Sequence, residues 1–304
     1  MKFTKIKSLI AVAICTTTLL SISNIGLAAK KDNEKSTNPP PLEYISEADV
    51  DFTSIINSGI PLHSEENIFV SDAPEVGIAW AKEAHDQMAN RALTILKNDK
   101  GTTVYNMLNE MVPYPPGGYT NGGFIACVRA WQADERENDS STYAGHFYGA
   151  DGKNYLGQTS PTAYTRFNNH YYNAVTLYNS GKKYEGYEEL GMAIHYLQDL
   201  NAPHHAANQI AVLSNHTDYE AWVDSNISTF LINNATSTTY DYVMNSTFKK
   251  MADDFSASAR ATYSNCSNSD FRTIGFNDTK ENLARTQRAI AGLFYRFLKN
   301  TNRI

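Results

Sequence analysis

Between His195 and Asn208 the chain reads H-Y-L-Q-D-L-N-A-P-H-H-A-A-N. His195 and Asp199 stand at i, i+4, so a helix through them projects both side chains from one face, a turn apart. Pro203 lacks an amide proton and stops that helix, and the chain leaves it with His204 and His205. An imidazole and a carboxylate on one turn, with another imidazole at the exit, form a donor set suited to zinc. One such pair is often only a surface ion pair or a cap. A second follows in N-H-T-D-Y-E, where His216 and Glu220 repeat the spacing, and the repetition favours a metal site.

Outward from this stretch the patterns are helical. Helices are expected over Thr162 to Tyr178, Tyr184 to Leu200 and His216 to Ile232, with a short antiparallel turn at Gly181-Lys182. Another lies within Tyr240 to Tyr263. The last runs from Lys280 to Leu298, with Leu283, Ile290, Leu293, Phe294, Phe297 and Leu298 as its buried stripe. Upstream, Trp80, Ala84, Met88, Ala92 and Ile95 recur at helical spacing, and His85 sits on that helix. Lys100-Gly101 ends it, a short helix from Val104 to Val112 follows, and Pro113 to Gly118 forms a loop. Asp134 to His146 is polar and aperiodic, a loop bracketed by two further metal-ligand types. No stretch alternates with a period of two. The fold class is all-α, a multi-helix bundle.

The 304 residues are 42% hydrophobic with a net charge of −6. That allows a sizeable core and gives no basic footprint for nucleic acid or anionic membranes. Residues 1–29 form a signal peptide: Lys2, Lys5 and Lys7, an apolar run from Ser8 to Ile25, then small residues at Leu27-Ala28-Ala29. The protein is therefore expected to be secreted and extracellular. Residues 30–79 are polar, then patternless, either an ordinary extension or a prosegment ending at Ala79. Beyond the leader only Cys127 and Cys266 remain, which leaves one disulfide open and rules out thiolate zinc ligation of the C-x-x-C kind.

Taken together, these residues resemble the bacterial zinc-dependent phospholipase C family, which includes the bacillary phosphatidylcholine-preferring enzymes and the catalytic domain of clostridial alpha-toxin. The family pattern H-Y-x-G/T-D-hydrophobic-x-x-P-x-H-P/A-x-N matches from His195 to Asn208 except at Gln198. The likeness runs from Trp80 to the terminal A-G-L-F-Y-R-F-L of Ala291 to Leu298. It implies a prosegment over 30–79 removed by an activating protease, so that Trp80 becomes the new terminus. It also implies a single catalytic domain over 80–304 with no C-terminal lipid-binding domain, acting as a monomer. The resemblance assigns one zinc to Asp134, His146, His195 and Asp199. A second goes to His205, His216 and Glu220, and a third to the Trp80 amine and carbonyl, His85 and a bridging Asp199. His204, His63 and His170 receive no role.

The expected activity is that of a phosphoric diester hydrolase. It would cut the glycerol-side phosphodiester of a phosphatidylcholine-like phospholipid at a membrane or micelle surface, with Asp134 as base. Glu83 and Tyr143 match head-group positions of the bacillary enzymes, whereas Glu135 stands where those relatives carry Tyr. Trp80 and His85 are five apart, closer than in the phospholipases and similar to S1/P1-type nucleases acting on single strands. That nuclease activity is the rival reading, and a non-catalytic zinc- or lipid-binding protein is the third. Glu220, where such nucleases tend to have Asp, and the H-A-A-N ending favour the lipase.

Overall fold

The computed structural model describes residues 82–114 and 117–304. The expected signal peptide, the expected prosegment and Trp80 lie outside the described residues. Helix α1 (Lys82–Leu108) buries Ala84, Met88, Ala92, Ile95 and Leu96, the face its periodicity marks. Gly101, at φ 89° and ψ 162°, is non-helical and divides this span into two helices that meet at a kink, as the sequence suggests; that backbone state costs glycine little. The second of them, expected over Val104 to Val112, ends at Leu108. Val112 belongs instead to a hairpin, β1 (Met111–Tyr114) paired antiparallel with β2 (Gly118–Asn121), Met111 opposite Asn121. Each four-residue strand holds only two cycles of a period-two pattern.

Helix α2 (Gly122–Arg136) follows at once. No helix was expected there, because its glycine start and its polar last turn both resemble loop composition. Asp134 is thus the end of a helix rather than the start of a loop. Helix α3 (Ala163–Asn179) is closed by a capping box between Thr162 and Thr165. Helix α4 (Lys183–Asp199) returns antiparallel after a turn at Gly181. Pro203 does not stop α4. It opens a one-turn helix, α5 (Pro203–Ala206), as its first residue, where the missing amide proton is no loss.

Helix α6 (His216–Asn226) ends earlier than expected and tightens into a 3-10 turn at Ile227–Phe230. The Tyr240 to Tyr263 region resolves into α7 (Ser237–Asn245) and α8 (Phe248–Ala261), the latter capped by Thr247. Short α9 (Tyr263–Cys266) and α10 (Phe271–Ile274) lead to α11 (Phe276–Asn300), whose expected stripe is buried. Cys127 and Cys266 are both buried and free, so the open disulfide is not formed.

Helix α4 lies at the centre, packed on α2, α3 and α11. One residue sets how closely. A Cβ added to Gly191 would lie 2.4 Å from the Ala126 carbonyl oxygen and 2.5 Å from Arg129 Cβ of α2. Only glycine lets the two backbones approach so far, and that approach sets the end of α2 beside the end of α4. No described helix is long and apolar enough to cross a membrane.

Candidate metal centre

The residues assembled from sequence meet at the convergence of α1, α2, α4, α5, α6 and the loop after α2. His85, His146, His195 and Asp199 are completely buried, and His205, His216, Glu220 and Asp134 nearly so. At the end of α4, His195 Nε2 lies 3.1 Å from Asp199 Oδ2 and 3.5 Å from Asp134 Oδ1. His146 Nδ1 reaches the same two carboxylates at 2.9 Å and 3.4 Å. On the other side, Glu220 Oε1 is 2.7 Å from His216 Nε2 and 3.4 Å from His205 Nε2. His85 stacks on His195 at 4.3 Å between ring centroids and points Nε2 toward Asp134 Oδ2 at 4.0 Å. By ligand-atom distance it therefore groups with Asp134 and His195.

Hydrogen-bond accounting shows what these groups require. A backbone carbonyl can only accept, so any ring nitrogen bonded to one carries the proton. His195 Nδ1 donates to Ala130 O at 2.8 Å, His205 Nδ1 to His146 O at 2.8 Å, and His146 Nε2 to Glu137 O at 3.1 Å. In the neutral rings the opposite nitrogens are then lone pairs, all aimed inward. Two of them, His195 Nε2 and His146 Nδ1, stand only 2.9 Å apart and face carboxylate oxygens, which are acceptors as well.

His85 Nε2, Asp134 Oδ1, Asp199 Oδ1, His205 Nε2, His216 Nδ1 and Glu220 Oε2 have no hydrogen-bond partner. Buried acceptors facing acceptors are costly unless a cation sits between them. Asp134 and Asp199 also lie in the last turns of their helices, where the macrodipole favours positive charge. The nitrogen and oxygen donors fit zinc on every count.

Without a metal, protons do that work. Burial lowers His195, yet Asp199 and Asp134 push it up to about 9. His205 is likewise lowered by burial but raised to about 9 by Asp199 and Glu220. Burial would raise Asp199 and Glu220, but neighbouring imidazoles hold Asp199 well below the ordinary carboxylate value and Glu220 at about 2. Burial pushes Asp134 up to about 6. Burial and the neighbouring His195 drive His85 down to about 3. A cation entering here displaces protons.

The loop that delivers His146 is shaped from outside. Asp139, Ser140, Ser141 and Tyr143 all adopt positive φ, a strained run for residues with a Cβ. Arg166 of α3 holds it, donating to Glu137 O at 2.9 Å, to Tyr196 OH at 2.9 Å and to Asp139 Oδ1. Asp139 Oδ2 in turn accepts from Gly145 N at 2.7 Å. His170, given no role by the sequence, bridges Glu189 at 2.9 Å and Glu137 at 3.1 Å. Burial lowers it, but the two carboxylates outweigh burial and raise it to about 9. Sequence spacing carries no signal for the mutual contacts of Glu137, Arg166 and Tyr196, because they join segments about 30 to 60 residues apart.

His204 is buried against His216, stacked at 4.8 Å, and pairs with Asn215 Oδ1 at 3.0 Å. Of the expected head-group residues, Tyr143 stands beside the centre, its ring 5.8 Å from that of His146. Glu83, at the start of α1, accepts from Gln87 Nε2 at 2.7 Å. Glu135 is turned outward, 60% exposed, with Lys82 Nζ at 3.7 Å. Lys82 also lies over the Trp131 ring at 3.7 Å.

The pattern described as zinc dependent phospholipase C matches residues 133–269, a span that holds every clustered residue except His85. Over that span the chain is similar to the zinc-dependent phospholipases C. The phospholipase C of Listeria monocytogenes is 28% identical over 146 residues, 46% of this chain and 48% of that protein. The phospholipase C of Clostridium perfringens is 25% identical over 251 residues, 74% of this chain and 62% of that protein. That of Bacillus cereus is 36% identical over 92 residues, 29% of this chain and 32% of that protein. The chain thus spans less than two thirds of each.

Among solved structures, the alpha-toxin of Clostridium absonum shares the fold at a TM-score of 0.60 and 20% identity, over 75% of this chain and 65% of that one. A Clostridium perfringens alpha-toxin from an avian strain does so at 0.61 and 23%, over 75% and 66%. The all-α reading of the family therefore holds for the described residues, with the hairpin as its one addition.

Proposed function

We propose that this protein is a secreted zinc phosphodiesterase of the phospholipase C type, hydrolysing the glycerol-side phosphodiester of phospholipids. The observation that carries the reading is the buried pocket of inward lone pairs, in a chain related to zinc-dependent phospholipases C. Asp134, His146, His195 and Asp199 would hold one zinc and His205, His216 and Glu220 a second. His85 with the Trp80 terminus, freed by removal of residues 30–79, would hold a third, with Asp199 as bridge. Zinc bound in such sites supplies Lewis acidity toward phosphate oxygens and lowers the pKa of water.

The protein's own groups do the rest. Asp134, at the most exposed edge of the cluster, orients the attacking water and takes its proton as the new phosphorus–oxygen bond forms. The bond to the glycerol oxygen breaks, and protonation of that oxygen completes a diacylglycerol beside a phosphorylated head group. Tyr143 offers a ring face to a head-group cation and Glu83 a carboxylate. Glu135 shares its charge with Lys82 and contributes less.

The test is hydrolysis of phosphatidylcholine vesicles against single-stranded DNA by the secreted, processed protein. Diacylglycerol release abolished by chelation is expected, and cleavage of DNA alone would favour the nuclease reading. Asp134→Asn should lower turnover by about 10²- to 10⁴-fold, the range for a lost general base. Metal-dependent turnover unchanged in that variant would remove Asp134 from the mechanism.

A further inference from the structure

The family pattern is broken at one position, Gln198, and the structure gives that residue a specific task. Gln198 lies one helical turn beyond His195 on α4 and is completely buried. An unpaired amide in such a place costs several kcal/mol, and a leucine or methionine would fill the space without that cost. Both ends of the amide are engaged, and by one residue. Gln198 Nε2 donates to the backbone carbonyl of His85 at 3.1 Å, and Gln198 Oε1 lies against His85 Nδ1.

The carbonyl cannot donate, so the amide nitrogen must face it and the amide oxygen must face the ring. His85 Nδ1 therefore carries the proton. Its Nε2, buried and without a hydrogen-bond partner, is left as a lone pair directed at Asp134. The other histidines pinned in this way, His195, His205 and His146, are held by backbone carbonyls. His85 alone among these is held by a side chain.

We propose that Gln198 is a positioning residue that locks the ring orientation and tautomer of His85, so that α1 presents Nε2 as a metal ligand. The inference rests on the metal-centre part of the proposed function and not on the identity of the substrate. Outer partners of this kind change metal affinity by about 10- to 100-fold.

The experiment uses the secreted protein and two readouts independent of lipid hydrolysis. Nitrogen-correlated NMR of the histidine rings should show His85 protonated at Nδ1 in the unsubstituted protein. Chelator competition should show Gln198→Met, which keeps the volume, losing about 10- to 100-fold in affinity for one class of zinc, with the remainder held as before. Gln198→Glu keeps the acceptor for Nδ1 but loses the donor to the His85 carbonyl, and should recover part of that loss.

A His85 ring protonated at Nε2 would overturn the proposal, and so would full zinc affinity in Gln198→Met. If Gln198→Met does not fold, the NMR result on the unsubstituted protein still decides. A protein that binds no zinc but shows the Nδ1 proton would refute the metal centre and leave the lock standing.

Discussion

The pairs His195–Asp199 and His216–Glu220 are equivalent on paper, each an imidazole four residues before a carboxylate. In the structure they differ sharply. His195 and Asp199 close the central helix α4, and groups from α2, α5 and the loop before α3 converge on them. His216 and Glu220 open the short helix α6 and meet His205 alone among the other clustered ligands within ion-pair distance. Helical spacing creates a pair. Tertiary packing decides how many other ligands reach it, so the first pair should govern the whole centre and the second only its own side.

The largest effect follows from that asymmetry. Asp199 faces His146, His195 and His205, so Asp199→Asn should release more than one zinc and cost over about 100-fold in turnover, beyond the range of outer-partner changes. Glu220→Gln should release only one. Equal stoichiometric losses, read by elemental analysis of the dialysed proteins, would erase the distinction. A medium effect is expected where the two backbones touch. Gly191→Ala should force α2 from α4, lowering stability by about 1–3 kcal/mol. It should weaken zinc held by Asp134 and His195 more than zinc held by His216 and Glu220, as chelator titration of the two classes can show.

The smallest effect concerns the support behind His146. His170 is raised from its unfolded value near 6.5 to about 9. Its stabilisation is therefore complete below pH 6.5 and fades as pH climbs through 9. His170→Gln should remove about 1–3 kcal/mol at pH 6 and little at pH 10. Melting curves across that interval check it, and a pH-independent difference would mean the imidazolium contributes nothing.

The sequence shows the ligands more readily than the frame that holds them. His195, Asp199, His216 and Glu220 announce themselves because helical spacing is local, and the stripe of α11 is visible for the same reason. Asp134 and His146 were identified as the brackets of a polar segment, although Asp134 proved to be the end of a helix that starts with two glycines. The clamp of Arg166 on the carbonyl of Glu137 and the bridge made by His170 leave no periodic trace. Both join residues distant in sequence, the first through a backbone oxygen that every residue possesses and the second through the carboxylates of Glu137 and Glu189. Gln198 was visible only as a misfit in a pattern, and its meaning appeared once α1 was placed beside α4. The hairpin escaped because each four-residue strand holds only two cycles of a period-two pattern, amid prolines and glycines that read as a loop.

The most direct test of the central claim is anomalous diffraction at the zinc edge from crystals of the purified protein. Zinc peaks are expected about 2.0–2.2 Å from His195 Nε2, Asp199 and His146 Nδ1, and again beside His205, His216 and Glu220. A map with no anomalous density among these side chains, in protein grown with zinc present, would contradict the account.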